Sequence, residues 1–312
     1  MAKRSDHGMT RRELLRAGVY GGAVLAAAPW LPLRAEEPMH RRTIPSSGER
    51  LPVIGLGTAR TFDVASGSGA EEDLRTVMQR FFDLGGRVVD TSPMYGRAES
   101  VIGELGRSLG LVDELFLATK VWTRGREAGI EQMHRSARRL ETRVIDLMQV
   151  HNLVDVQTQL KTLRRMKEGG FVRYIGITHY TVSAHDDLMR LMRSEPLDFV
   201  QFNFNIAVRA AETDLLPLAA ERGIATLVNG PFDSGALFRR VRGRRLPGWV
   251  EDIGCGSWAQ FFLKYIVAHP AVTCAIPATG DPAHAADNTR AGYGVLPDAG
   301  QRRRMVAYFE GL

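Results

Sequence analysis

Eight short runs of β-branched and aliphatic residues alternate with eight helix-like segments, and no other feature of this chain limits its fold so strongly. The runs fall at 52–57, 87–91, 116–120, 146–151, 174–179, 199–204, 225–229 and 273–277. The helical segments lie near 70–84, 98–109, 128–140, 156–168, 182–193, 211–222, 257–268 and 281–291. Short apolar runs bounded by turn residues read as strands buried on both faces, which is the pattern of a parallel sheet. Gly85-Gly86, Gly169-Gly170 and Gly223 stand where helices must end before the next strand. Eight alternations without a break in composition predict an α/β chain folded as one (β/α)8 TIM barrel over residues 51–312. No Gly-x-Gly-x-x-Gly opens a helix behind a strand, which argues against a doubly wound sheet. The longest connection, Gly230 to Gly256, follows the seventh run and is expected to cover a cofactor.

In such a barrel the C-terminal strand ends share one pocket, so residues far apart in the chain converge there. Three consecutive runs end in polar residues: Asp90 with Tyr95 in VVDTSPMYG, Lys120 in LFLATKV and His151 in IDLMQVHN. A lysine ending an apolar strand requires a carboxylate partner, and Asp90 is the available one. A cation beside a phenol favours phenolate, so Tyr95 is expected to titrate below the usual value of about 10 and to act as a proton donor. Each residue also has a plainer reading: Asp90 as a cap, Tyr95 as a loop aromatic, His151 as a satisfied core histidine.

The motifs occur in a recognisable order. GLGT (Gly55 to Thr58), DTSPMYG, Thr119-Lys120, QVH ending at His151, GFVRYIGITHY, VQFNFN and IPATGDPAHAADN run from about Leu51 to about Pro297. In this order the chain resembles the aldo-keto reductase family. The resemblance implies a catalytic tetrad of Asp90, Tyr95, Lys120 and His151, all intact. It implies reduction of an aldehyde or ketone by hydride transfer from NADPH or NADH, with His151 orienting the carbonyl. Carried over by position, the nucleotide contacts are Gly57, Thr58, His179, Gln201, Asn229, Phe232, Ser234, Thr279, His284, Asp287 and Asn288, with Met94 and Trp122 facing substrate. The pattern departs from the family in places. Thr178-His179 replaces a usual Ser-Asn, and Asn229 replaces a tyrosine that stacks on the nicotinamide. Ala278 and His284 replace the cations around the 2′-phosphate, which weakens the expectation of NADPH over NADH. A nucleotide-binding sensor on the same fold is the alternative, but it has no need of the Tyr95–Lys120 pair.

Residues 1–35 read as an address. TRRELLR (Thr10 to Arg16), an apolar stretch from Ala17 to Ala28 and a small residue at Ala35 make a twin-arginine signal peptide, with the export machinery as partner and the periplasm as destination. The apolar stretch is too short and glycine-rich for a stable membrane span. These residues hold six Lys/Arg and two Asp/Glu, so +4 of the chain's net +6 lies there. The basic balance is therefore no argument for nucleic-acid binding, and the arginines near 239–245 and 302–304 read as solvated faces. Residues 36–50 form a polar lead-in. Cys255 and Cys274 read as free thiols, without the clustered histidines of a metal site.

Overall fold

A computed structural model describes residues 38–312. The segment read as an export signal lies outside the described residues. An antiparallel hairpin comes first, β1 (Arg41–Thr43) with β2 (Arg50–Pro52). Eight strands then form one parallel sheet, neighbours in sequence being neighbours in space. They are β3 (Leu56–Gly57), β4 (Val88–Asp90), β5 (Phe116–Val121), β6 (Ile145–His151), β7 (Val172–Thr178), β8 (Phe199–Asn203), β9 (Ala225–Asn229) and β10 (Cys274–Ala275). The ends of the sheet meet. Gly55 N–H donates to Ala275 O at 2.8 Å, Gly57 N–H to Pro277 O at 2.9 Å and Ala275 N–H to Val53 O at 2.9 Å. The expected barrel is therefore present and closed. Gly57 sits in this seam, where a Cβ would lie 2.7 Å from Ile276 O, so no larger residue fits there.

Period-two alternation along each strand positions the site. The inward residues begin apolar and end polar: Val88 then Asp90; Phe116, Ala118, Lys120; Leu147, Gln149, His151; Tyr174, Gly176, Thr178; Phe199, Gln201, Asn203; Ala225, Leu227, Asn229. The apolar members fill the lower barrel together with Cys274 and Ile276. The polar members form a rim at the C-terminal end. Outward residues such as Val89, Leu117, Val150, Ile177, Val200 and Val228 pack under the helices.

The helices are α1 (Gly69–Asp83), α2 (Ala98–Ser108), α3 (Arg126–Arg139), α4 (Val156–Glu168), α5 (His185–Ser194), α6 (Leu215–Arg222), α7 (Ala236–Arg240), α8 (Trp258–Val267), α9 (Pro282–Arg290) and α10 (Ala299–Glu310). No helix among the described residues is long and apolar enough to cross a membrane. Three features go beyond the sequence reading. First, the lead-in is structural. Ile44 (0% exposed) and Leu51 (3%) join the inward cluster, and Tyr174 OH donates to Glu49 and shares a hydrogen bond with the Ser47 hydroxyl, so the hairpin plugs the barrel floor. Second, the eighth barrel helix, α9, is followed by α10, opened by a capping box in which Asp298 and Gln301 exchange hydrogen bonds. Third, the long 230–256 connection does not simply arch over the rim. Arg240 and Arg244 donate to the carbonyls of Glu310 and Leu312, and Arg304 stacks on Trp249 at 4.3 Å, so its distal half is tied to α10. Cys255 and Cys274 are free and buried, as expected.

Replacing Ile44 with Ala should destabilise the protein by about 2–5 kcal/mol, the usual range for a buried aliphatic-to-Ala change. Denaturant unfolding measures this. The rim is at the opposite end of the barrel, so activity per folded molecule should be unchanged; a loss of turnover without loss of stability would contradict the floor-plug reading.

Candidate active site

The centre of the rim is a buried ion pair. Lys120 (1% exposed) donates through Nζ to Asp90 Oδ2 at 2.7 Å and to Thr91 O at 2.6 Å. Asp90 (3% exposed) accepts a second bond at Oδ1 from Gln149 Nε2 at 3.3 Å, and its main-chain carbonyl accepts from the Thr58 hydroxyl at 2.9 Å. Burial is the largest influence on Lys120 and acts to lower its pKa. The negative charges of Asp90, Tyr95 and Glu99 together outweigh it, so the net direction is upward and the ammonium is secured.

Tyr95 lies on the turn after β4, held by its N–H donating to Ser92 O at 3.0 Å. Lys120 Nζ is 5.3 Å from the centre of its ring. The expected direction of its titration is reversed. Burial raises the phenol above its ordinary value, and the opposing pull of Lys120 is too small to overcome it, with Asp90 adding to the rise. Lys120 does pull the phenol down, by charge and by hydrogen bonding, but desolvation is the larger effect and Asp90 opposes the cation.

His151 stands edge-on to Tyr95, ring centres 6.0 Å apart and planes at 89°, with Trp122 at 6.4 Å. Its Nδ1 is 3.0 Å from Ser92 Oγ. Burial, then the charges of Lys120 and His179, depress its pKa to about 3, so the ring is neutral at working pH. Met94 and Trp122 are each two-fifths exposed at the mouth. Gln132 fixes the Trp122 backbone, accepting from its N–H at 2.6 Å.

The residues expected to hold a nucleotide divide into three groups. Gly57 and Thr58 serve the barrel seam and the β3–β4 contact, as described. His179, Gln201 and Asn229 continue the rim. Gln201 (1% exposed) accepts from the Thr178 hydroxyl at 2.7 Å, which leaves its amide nitrogen without a partner among the described residues. His179 Nδ1 is engaged by the Thr181 N–H at 3.3 Å and the Thr181 hydroxyl at 3.2 Å, so only Nε2 is free for a ligand. Phe232 packs on Phe238 at 4.8 Å, and Ser234 is exposed in a left-handed conformation (φ 50°).

The third group lies after β10. Thr279 Oγ1 accepts from Asp281 N–H at 3.0 Å. Asp281 in turn caps α9, accepting from the N–H groups of Ala283 at 2.7 Å and His284 at 3.1 Å. Asp281 thus occupies two of the α9 N-terminal amides and brings a negative charge to that end of the helix. Asp287 does not stand free for an adenine, since it accepts from Ser257 Oγ at 2.6 Å and Gln260 Nε2 at 2.7 Å. Asn288 (5% exposed) has no side-chain partner among the described residues, and His284 is exposed. The Gln201 amide nitrogen and the Asn288 side chain, which have no side-chain partner among the described residues, suit a polar ligand lying across the rim.

Ser92, Gln149 and Glu99 were not singled out by the sequence. Glu99 (0% exposed) accepts from Thr119 Oγ1 at 2.7 Å and Arg139 at 3.4 Å, and adds a second carboxylate behind Lys120. Gln149 was visible as an inward position between Leu147 and His151. Ser92 and Glu99 lie off the strands, where period-two alternation gives no signal.

Comparison with known proteins agrees with this geometry. Residues 53–300 match the family model described as the aldo/keto reductase family. The chain is 28% identical over 214 residues to the aldo-keto reductase YhdN of Bacillus subtilis, covering 64% of each chain. It is 27% identical over 258 residues to the methylglyoxal reductase YeaE of Escherichia coli, covering 80% of this chain and 89% of that one. Among solved structures, an aldo-keto reductase from Klebsiella pneumoniae in complex with NADPH superposes with a TM-score of 0.72 at 24% identity, over 87% of this chain and 96% of that one. At that identity the likeness establishes the fold.

Proposed function

The chain belongs to the aldo/keto reductase family, and on that premise we propose that it reduces an aldehyde or ketone to the alcohol, with a nicotinamide nucleotide as hydride source. The observation that carries this reading is the buried Lys120–Asp90 pair beneath a protonated Tyr95, with a neutral His151 edge-on beside it. A nucleotide sensor would have no use for that arrangement. Gln201, Nε2 of His179, Asn229 and Asn288 would hold the nucleotide, and Phe232 would supply apolar contact. Bound there, NADPH or NADH supplies the hydride that the carbonyl carbon takes. The protein's own residues handle the oxygen. His151 positions it, and the Tyr95 phenol donates its proton as the C=O bond becomes C–OH. Lys120, locked to Asp90, presents a fixed positive charge to the phenolate that remains. Because the Tyr95 pKa is raised, its acid form persists through neutral and mildly alkaline pH. Met94 and Trp122 would line the substrate entrance.

Tyr95→Phe should remove carbonyl reduction by about 10²- to 10⁴-fold, the usual contribution of a general acid, while nucleotide binding stays near wild type. The wild-type rate of reduction should stay level with rising pH through the ordinary phenol pKa of about 10 and fall only above it. Steady-state kinetics with a carbonyl panel and fluorescence titration of the nucleotide test both. Retention of more than about a tenth of kcat with hydride transfer rate-limiting would remove Tyr95 from the mechanism.

Nucleotide choice follows from the charges after β10. Ala278 and His284 lack the cations a 2′-phosphate wants, and Asp281 holds the nearest helix amides. NADPH and NADH should bind within about a hundredfold of each other, since each missing charge-assisted bond is worth about tenfold or more. His284→Arg should raise NADPH affinity at pH 8 and leave NADH unchanged. Strong NADPH preference that survives His284→Ala would locate the phosphate elsewhere.

Export by the twin-arginine route to the periplasm is part of the proposal, supported by TRRELLR ahead of the apolar Ala17–Ala28 stretch. Cell fractionation should find the Arg11→Lys, Arg12→Lys protein retained in the cytoplasm; equal periplasmic recovery of mutant and wild type would exclude that route.

A further inference from the structure

Ser92 lies between the two groups that face the substrate. Its main-chain carbonyl accepts from Tyr95 N–H at 3.0 Å. Its side-chain oxygen is 3.0 Å from His151 Nδ1 and 3.4 Å from Met94 N, the latter at the long limit of hydrogen bonding. The residue is fully buried (0% exposed), so water cannot substitute for a missing partner.

A serine hydroxyl has one proton to donate and two lone pairs to accept with. Met94 N–H can only donate, so it takes a lone pair. Among the described residues the one acceptor within reach of the Ser92 proton is His151 Nδ1. If Nδ1 accepts, every polar atom of the contact is satisfied. If Nδ1 carried the imidazole proton, the buried hydroxyl would have no acceptor, a loss that a sealed site does not tolerate cheaply. Nε2, across the ring, has no protein partner among the described residues and is not sealed from solvent.

We propose that Ser92 is a positioning residue that holds His151 as the neutral Nε2–H tautomer, so that the ring offers a hydrogen-bond donor, not a lone pair, to the substrate oxygen. The same residue fixes Tyr95 through its carbonyl, so both proton-bearing groups are held by one residue of the turn after β4. The wrong tautomer would present a lone pair to an oxygen gaining negative charge, which opposes the reaction. The tautomer assignment stands on geometry alone; its catalytic consequence rests on the carbonyl-reductase reading.

The test is long-range ¹H–¹⁵N correlation on the full chain with ¹⁵N-histidine, the His151 signals being assigned by their loss in His151→Gln. Wild type should show Nδ1 unprotonated and Nε2 protonated throughout about pH 5 to 8. Ser92→Ala should show mixed tautomers. Its kcat for carbonyl reduction should fall about tenfold or more while nucleotide Kd stays within about twofold. Ser92→Thr keeps the hydroxyl and should restore the single tautomer and most of kcat. A protonated Nδ1 in wild type overturns the proposal, and that spectrum decides even if Ser92→Ala does not fold. An unchanged tautomer in folded Ser92→Ala also overturns it. A wild-type protein with the Nε2–H tautomer but no turnover of any carbonyl would sink the reductase reading and leave the assignment standing.

Discussion

The ion pair between Lys120 and Asp90 is the constraint around which the rim is built. Both groups are buried, and neither could remain charged there alone. Removing one partner of such a pair strands the other, typically at about 3–5 kcal/mol, so the pair is a folding requirement as well as a chemical device. Satisfying it recruits much of what surrounds it. Thr91 lends a carbonyl to the ammonium, Gln149 an amide to the free carboxylate oxygen, and Thr58 ties the Asp90 backbone to the first barrel strand. Because burial dominates at both groups, Tyr95 above the pair stays a phenol, and His151, pushed further down by the nearby cation, stays neutral. A proton donor and an uncharged orienting group therefore persist together over a wide range of pH.

Much of this was legible in the sequence because one rule governs it. Inward positions on a barrel strand recur every second residue, and here they change from apolar to polar at the C-terminal end. Asp90, Lys120, His151, Gln201 and Asn229 all obey it. What the rule did not reach lies off the strands or depends on magnitudes. Ser92 and Glu99 sit in the turn and helix after β4, where no periodicity marks them. The hairpin holding Ile44 looked like a polar tether because its neighbours are Arg, Ser and Glu. Helix α10 buries Met305 and Phe309 along an otherwise charged face, so its apolar pattern is faint, although the Asp298–Gln301 capping box was readable. The direction of the Tyr95 shift required knowing how far the fold buries the phenol, since that outweighs the pull of Lys120.

The nucleotide end of the rim shows the same principle in reverse. Residues that match a binding pattern by position are partly engaged in holding the protein together. Asp287 bridges α9 to the start of α8 through Ser257 and Gln260, and Asp281 closes the α9 N-terminus. Alignment by motif reports where a side chain stands, while its hydrogen bonds report what capacity it has left. By that measure Gln201 and Asn288 remain open to a ligand and Asp287 does not.

The seam that closes the barrel also bears on how the chain can assemble. It pairs Ile54 with Ala275 and Gly57 with Ala278, joining the two ends of the barrel sequence. Strands β4 to β6, which hold Asp90, Lys120 and His151, are joined by short local crossovers and can pair as soon as they are made. The seam cannot form until nearly the whole chain has left the ribosome, and distant contacts of this kind close slowly. Until then the Ile44 plug has no closed barrel to fill. The part of the rim that follows β10, with Thr279, His284 and Asn288, is thus the last to be made. A nascent chain interrupted before β10 would lack those three residues and the closure of the barrel together.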